Sequence, residues 1–226
     1  MGYWDAFPKH RLLADVSLWS ADLSRLAGEI ERVDEWADLW HFDVADAHFV
    51  PGLLFFPDLV ASVRGLTRRP FTVHLMTANP LPLIDEFARA GADLVLVHCE
   101  NGPVAAEALR CMAERRLGRG LALGLDCPLE LLEPYLQDID MVLLMGTPLG
   151  AKGQPLSPLA VPRVRRLRTM LRERGLDGRV LIEADGGIRV TTVPELRQAG
   201  ADVIVPGSLV FKSGNLQETM SWIRSF

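Results

Sequence analysis

The sequence predicts a single (β/α)8 barrel of the TIM-barrel class, on three observations. The chain has 226 residues, a usual length for one such domain. Short apolar runs alternate with amphipathic, helix-length segments along the whole chain, the order expected of a parallel sheet covered by helices. Two segments also repeat one another. ARAGADLVLV (88–97) and RQAGADVIVP (197–206) each read as a helix end, a glycine turn, an aspartate and a strand.

Eight runs read as the strands: LLADVS (12–17), DLWHFDV (38–44), FTVHLM (71–76), DLVLVH (93–98), RGLALGL (119–125), DMVLLMG (140–146), RVLIEAD (179–185) and DVIVPG (202–207). They are nearly continuous in apolar residues, as parallel strands buried on both faces must be. Between them, SADLSRLAGEIERV starts at Ser20, an N-cap type, and sets Leu23, Leu26, Ala27, Ile30 and Val33 on one helical face. The segments NPLPLIDEFARAG and TTVPELRQAG both stop at glycine, a helix-ending signal. RVRRLRTMLRERG (163–175) spaces arginines between apolar residues as a solvated helix face does. No linker or low-complexity stretch interrupts the pattern, so residues 1–226 are expected to form one domain.

A net charge of −5 with no basic stripe argues against nucleic acid as a partner. Three cysteines without a CxxC pair argue against a disulfide framework and for a reducing compartment. The start lacks a signal-peptide core, and no apolar run reaches the roughly 20 residues of a membrane span. A cytoplasmic protein is expected.

The unusual polar residues fall where a barrel keeps its site, at the carboxyl ends of the strands. His41 and Asp43 close the second run, two apart and hence on one face. His74 lies near the end of the third run and Asp185 ends the seventh. Singly, each has an ordinary structural reading, a satisfied core histidine or a helix N-cap. Together, two imidazoles and two carboxylates suit one divalent metal with a position open to substrate. Asp46 and His48 lie past the strand, where a capping role competes with substrate contact. Gly186 and Gly187 follow the seventh strand, and Gly207 and Ser208 the eighth. Those two loops often hold phosphate through backbone N–H groups. The Gly- and Pro-rich stretch GTPLGAKGQPLSP after the sixth strand reads as a lid.

Read in order, SLWSADLSRL, HFDVADAHFVPG, VHLMT, MGTPLGAKGQ, EADGGI and PGSLVF resemble the motifs of the ribulose-phosphate 3-epimerase family, from about Ala14 to Phe211. The resemblance implies a metal-dependent isomerase that inverts the third carbon of a ketose phosphate, ribulose 5-phosphate by default. It implies His41, Asp43, His74 and Asp185 as ligands of one Zn, Fe, Mn or Co ion, with Asp43 and Asp185 also the catalytic acid and base. It implies substrate contacts from Ser17, His74, Met76 and Met145, and from the phosphate-side residues Gly150, Ala151, Lys152, Gly153, Gly186, Gly187, Gly207 and Ser208. A homo-oligomer, dimer or hexamer, is also implied.

The chain departs from the family pattern in four places. Ala45 stands where the family usually carries a Met, Ala47 where it carries a Gly, Lys152 where it carries a lid Gly, and GLDCPLE after the fifth strand where an N-P turn is common. These departures leave a second substrate class open, such as allulose 6-phosphate or a tetrulose phosphate. A related phosphosugar lyase or decarboxylase would need a Lys at position 45, which is alanine here. A non-catalytic sugar-phosphate binder would not need both His and both Asp.

Overall fold

The computed structural model describes residues 3–226, and the expected barrel is there. Its strands are β1 (Leu13–Ser17), β2 (Leu39–Asp46), β3 (Leu53–Leu54), β4 (Phe71–Met76), β5 (Leu94–His98), β6 (Gly118–Leu123), β7 (Met141–Met145), β8 (Leu181–Asp185) and β9 (Val203–Val205). All but β3 run parallel and close into an eight-stranded barrel, because β1 pairs with both β2 and β9. β3 is a short antiparallel addition to the end of β2. Each of the eight expected runs coincides with one parallel strand, shifted by a residue or two at its ends.

Alternate residues of each strand serve two layers. Val16, Phe42, Val73, Val95, Leu121, Val142, Ile182 and Ile204 point outward into the helices. Leu13, Leu39, Leu94, Met141, Leu143 and Val203 fill the lower barrel. Trp4 closes that lower end, and its indole N–H donates to the Asp140 carbonyl at 2.6 Å.

Outside lie α1 (Leu26–Val33), α2 (Pro57–Arg64), α3 (Leu81–Ala90), α4 (Val104–Glu114), α5 (Ala160–Glu173), α6 (Val193–Ala199), α7 (Ser208–Phe211) and α8 (Leu216–Ile223). α3 and α6 stop at Gly91 and Gly200, both left-handed with φ of 96° and 115°. That conformation is easy only for glycine, so the repeated junction is a repeated cap.

Four expectations are corrected. Ser20 caps nothing, since it ends a 3-10 turn, Leu18–Ser20, and Asp22 takes the capping role by accepting the Ser24 N–H. Leu23 and Ala27 are exposed, and α1 buries only Leu26, Ile30 and Val33. The connection from β6 to β7 holds a single 3-10 turn, Leu129–Leu132, in place of a helix, and Pro128 and Pro134 bracket that turn and deprive it of backbone donors. The helix over 163–175 is not uniformly solvated. Arg168 is buried, bound to Asp177 and Asp202, and donates to the Gly200 carbonyl from Nε at 3.1 Å and Nη2 at 2.6 Å.

That arginine ties α5 to the turn before β9. Arg168→Leu is expected to lower stability by about 2–3 kcal/mol, below the roughly 3–5 kcal/mol of a fully buried pair, because both aspartates keep some water contact. A urea midpoint shifted at unchanged slope checks this. An unchanged midpoint would show that the pair adds nothing.

Candidate active site and metal centre

The barrel register assembles the cluster. Ser17 on β1 pairs with His41 on β2, and Asp43 pairs with His74 on β4. These inward side chains meet Asp185 from the far wall, at the end of β8. One ligand-type atom from each of His41, Asp43, His74 and Asp185 lies within 4.8 Å of the others. His41 Nε2 is 3.4 Å from Asp43 Oδ1, and His74 Nδ1 is 3.6 Å from Asp43 Oδ1 and 3.9 Å from Asp185 Oδ2.

Both of those nitrogens are buried and have no hydrogen-bond partner. Such groups are costly to strand away from water. Two orphaned imidazole nitrogens facing two carboxylates is the donor set a divalent ion satisfies, so the residues fit the implied metal.

The two aspartates are driven apart electrostatically. Burial pushes Asp43 up, but the facing His41 and His74 outweigh it and hold the carboxyl far below the usual range. Burial and then the charge of Asp43 push Asp185 up to about 7. Burial also lowers His41, yet Asp43 and Asp15 reverse it and keep that imidazole well above its ordinary value. Burial, relieved in part by Asp43 and deepened by His98 and His41, lowers His74 to about 4.

A proton on Asp185 or His41 must leave before either can hold an ion. Ion uptake is therefore expected to release protons at neutral pH, and apparent affinity to rise as pH climbs through neutrality. Calorimetry in two buffers of unequal ionisation enthalpy counts the protons; a count of zero would contradict the charge pattern.

Above the cluster opens a cavity of about 430 Å³. Asp43 and Asp185 form part of its floor, and Ser17, Met76, Met145, Gly150, Ala151, Lys152, Gly153, Gly186, Gly187, Gly207 and Ser208 line it. His41 and His74 lie behind the floor, fully buried. Ser17 is engaged with Asp43, donating to Oδ2 at 2.7 Å. Gly186 and Gly187 turn left-handed, and a side chain on Gly187 would collide with the Leu156 backbone at 2.6 Å. The lid reaches across the mouth, where Lys152 Nζ donates to the Trp19 carbonyl at 2.6 Å.

His41 and Asp43 do not end β2, which continues to Asp46. Asp46 binds the N–H groups of His48, Phe49 and Ala78 and so serves the loop; His48 is exposed. Ala45 packs with Val50 and Met76, and Phe49, Leu54 and Leu149 fill in around them. Ala47 holds φ of 59°, the left-handed region in which the family's glycine sits without strain.

Sequence reasoning missed a chain of contacts behind His74 that runs through buried His98 to the exposed Glu100. His74 Nε2 lies 2.8 Å from His98 Nε2, His98 Nδ1 lies 3.3 Å from Glu100 Oε2, and Glu100 Oε1 accepts the Gly124 N–H at 2.7 Å. It also missed Trp19, Arg189 and Lys212 on the cavity wall. The two cations stand shortly after the GG and GS pairs, and that proximity was the available signal.

A closed (β/α)8 barrel with a carboxyl-end cavity over a convergent His/Asp cluster is the arrangement of a barrel enzyme. The sequence profile of the ribulose-phosphate 3 epimerase family matches residues 13–211. Ribulose-phosphate 3-epimerase of Synechocystis sp. is 40% identical over 213 residues, covering 92% of this chain and 91% of that one. The Bacillus subtilis and Escherichia coli enzymes of the same name are 36% and 34% identical, each over 92% of this chain and over 96% and 93% of their own. The chain belongs to the ribulose-phosphate 3-epimerase family and is an isomerase. Among solved structures, 3-keto-L-gulonate-6-phosphate decarboxylase from Vibrio cholerae superposes with a TM-score of 0.72 at 13% identity, covering 95% of this chain and 96% of that one. 3-Hexulose-6-phosphate synthase from Salmonella typhimurium gives 0.68 at 18%, covering 94% and 96%; at these identities the likeness is one of fold. Among the described residues, no helix is long and apolar enough to cross a membrane.

Proposed function

We propose that this chain interconverts D-ribulose 5-phosphate and D-xylulose 5-phosphate by moving a proton at the third carbon. The observation that carries the reading is the pairing of one floor with one wall. Two aspartates form part of the floor with two histidines behind them, while glycine turns with Arg189 and Lys212 line the same cavity. A floor that moves protons and a wall that takes an anion suit a small sugar phosphate, and the volume is of the right order.

The proton beside a ketone is weakly acidic, and a divalent ion at the cluster would stabilise the negative charge left on the ketone oxygen. Inverting the carbon needs removal on one face and return on the other. Asp43, steadied by the Ser17 hydroxyl, and Asp185, with which it shares the cavity floor, supply the two partners. His41 and His74, buried behind the floor, would help to hold such an ion. Lys152, latched on Trp19, closes the lid and keeps water from the reacting carbon.

A different ketulose phosphate is the second reading, motivated by Ala45 and Lys152. The packing of Phe49, Leu54 and Leu149 around Ala45 favours the default, since the room expected from a missing Met is occupied. A lyase is disfavoured by alanine at position 45. The reading includes one domain over 1–226, a homo-oligomer and a cytoplasmic setting; sedimentation tests the second of these.

The deciding experiment is proton NMR of D-ribulose 5-phosphate with metal-loaded protein in deuterated water. Deuterium at the third carbon together with xylulose 5-phosphate signals is the expected result. Metal-loaded protein that gives neither would sink the pentulose assignment and move the panel to hexulose and tetrulose phosphates.

A further inference from the structure

Beneath the four-residue cluster lies a second layer of charge that the proposed chemistry does not use. Asp15 sits on β1 two residues before Ser17, and Glu183 on β8 two before Asp185. Alternation along a strand therefore aims both into the barrel, one step lower than the cluster. Asp15 Oδ2 is 3.3 Å from His41 Nδ1. Ligand-type atoms of Asp15, His41 and Glu183 lie within 4.8 Å of one another, and all three residues are fully buried. Neither Glu183 oxygen has a hydrogen-bond partner, nor has Asp15 Oδ1.

Two carboxyl groups placed together in a dry interior oppose folding. Both lie beside the imidazole of His41, which has a carboxylate on each side: Asp15 at Nδ1 and Asp43 at Nε2. A neutral imidazole carries one N–H. With Asp15 accepting at Nδ1, that N–H is fixed there, and the Nε2 lone pair is left facing the cluster. A carboxylate behind a ligating histidine fixes its ring and strengthens it as a donor.

We propose that Asp15 is a positioning residue for the metal centre, holding His41 in the one tautomer and orientation that can bind the ion. This rests on the reading of His41 as a metal ligand. It predicts a graded response that a merely structural residue would not show, with ion affinity following the acceptor that faces His41 Nδ1.

The test uses Co²⁺ as the probe, read by its visible absorption, on the metal-free full-length chain and on Asp15→Asn, Asp15→Ala and His41→Ala. The wild type is expected to take one ion per chain. Asp15→Asn keeps an acceptor and loses the charge, and should bind about tenfold more weakly. Asp15→Ala loses both, and should approach about 100-fold. The metal-free melting temperature is expected to fall in both variants, because each removes the charge paired with buried His41. Should the alanine variant fail to fold, the asparagine variant carries the test alone.

Unchanged Co²⁺ affinity in the Asp15 variants would overturn the proposal while leaving the metal reading intact. An affinity loss of the same size in the asparagine and alanine variants would overturn it in favour of a structural role, since only asparagine keeps an acceptor for His41 Nδ1. Two ions per wild-type chain would also overturn it, since Asp15 and Glu183 would then be ligands themselves. If the wild type binds no Co²⁺, or if His41→Ala binds it as well as the wild type does, the underlying reading of His41 fails.

Discussion

Asp185→Asn and Asp43→Asn are each expected to cut epimerisation by about 10³-fold, within the range a positioned acid or base contributes. Asparagine matches the shape of aspartate and cannot carry the proton. The informative readout is the asymmetry between the two variants. Each retains one carboxylate, and that group still faces one side of the third carbon. A metal-loaded single variant should therefore wash deuterium into one epimer of the substrate and leave the other unlabelled, with almost no conversion between them. The pattern should reverse between the two variants. Equal loss of exchange from both epimers, in protein shown to hold its ion, would refute the two-carboxylate assignment.

Stripping the ion is expected to abolish turnover and to lower stability as well. An ion that binds only the folded chain adds about 2.7 kcal/mol at a hundred times its dissociation constant. Here the folded chain has specific reasons to want it. His41 Nε2 and His74 Nδ1 have no other partner, and Asp43 and Asp185 repel one another across the floor. Chelated protein should melt lower than loaded protein, and the gap should widen with the logarithm of free Zn²⁺ or Co²⁺. Identical melting curves with and without ion would mean that the cluster holds none.

How much of this was legible depended on how locally each feature is encoded. All eight barrel strands were, because parallel strands are apolar on both faces and their runs stand out. The caps at Gly91 and Gly200 were, because a left-handed residue after a helix leaves a glycine behind. The helix missing after β6 was not, since the leucines of 129–132 suit a helix and only the flanking prolines argue otherwise. β3 was not, being two residues with no period to detect. In the site, His41 and Asp43 share a strand and announced themselves through spacing. His98 and Glu100 act on His74 from a neighbouring strand, a relation no spacing encodes. Asp15 and Glu183 were half legible: a charged residue at an inward position of a buried strand is anomalous, though its partner is revealed only by closure. Arg168 was misread because helical periodicity placed it among solvated arginines, while Asp177 and Asp202 reach it from later in the chain.

Barrel closure also sets the order of events during synthesis. The sheet becomes a ring only when β9 finds β1, and Asp185 enters the cluster from the last quarter of the chain. While still on the ribosome, the polypeptide carries His41, Asp43 and His74 on an open, incomplete sheet with an unpaired edge at β1. Such an edge invites pairing with other strands. A product truncated before β8 would carry His41, Asp43 and His74 without Asp185, and is expected to hold an ion less tightly than the closed barrel.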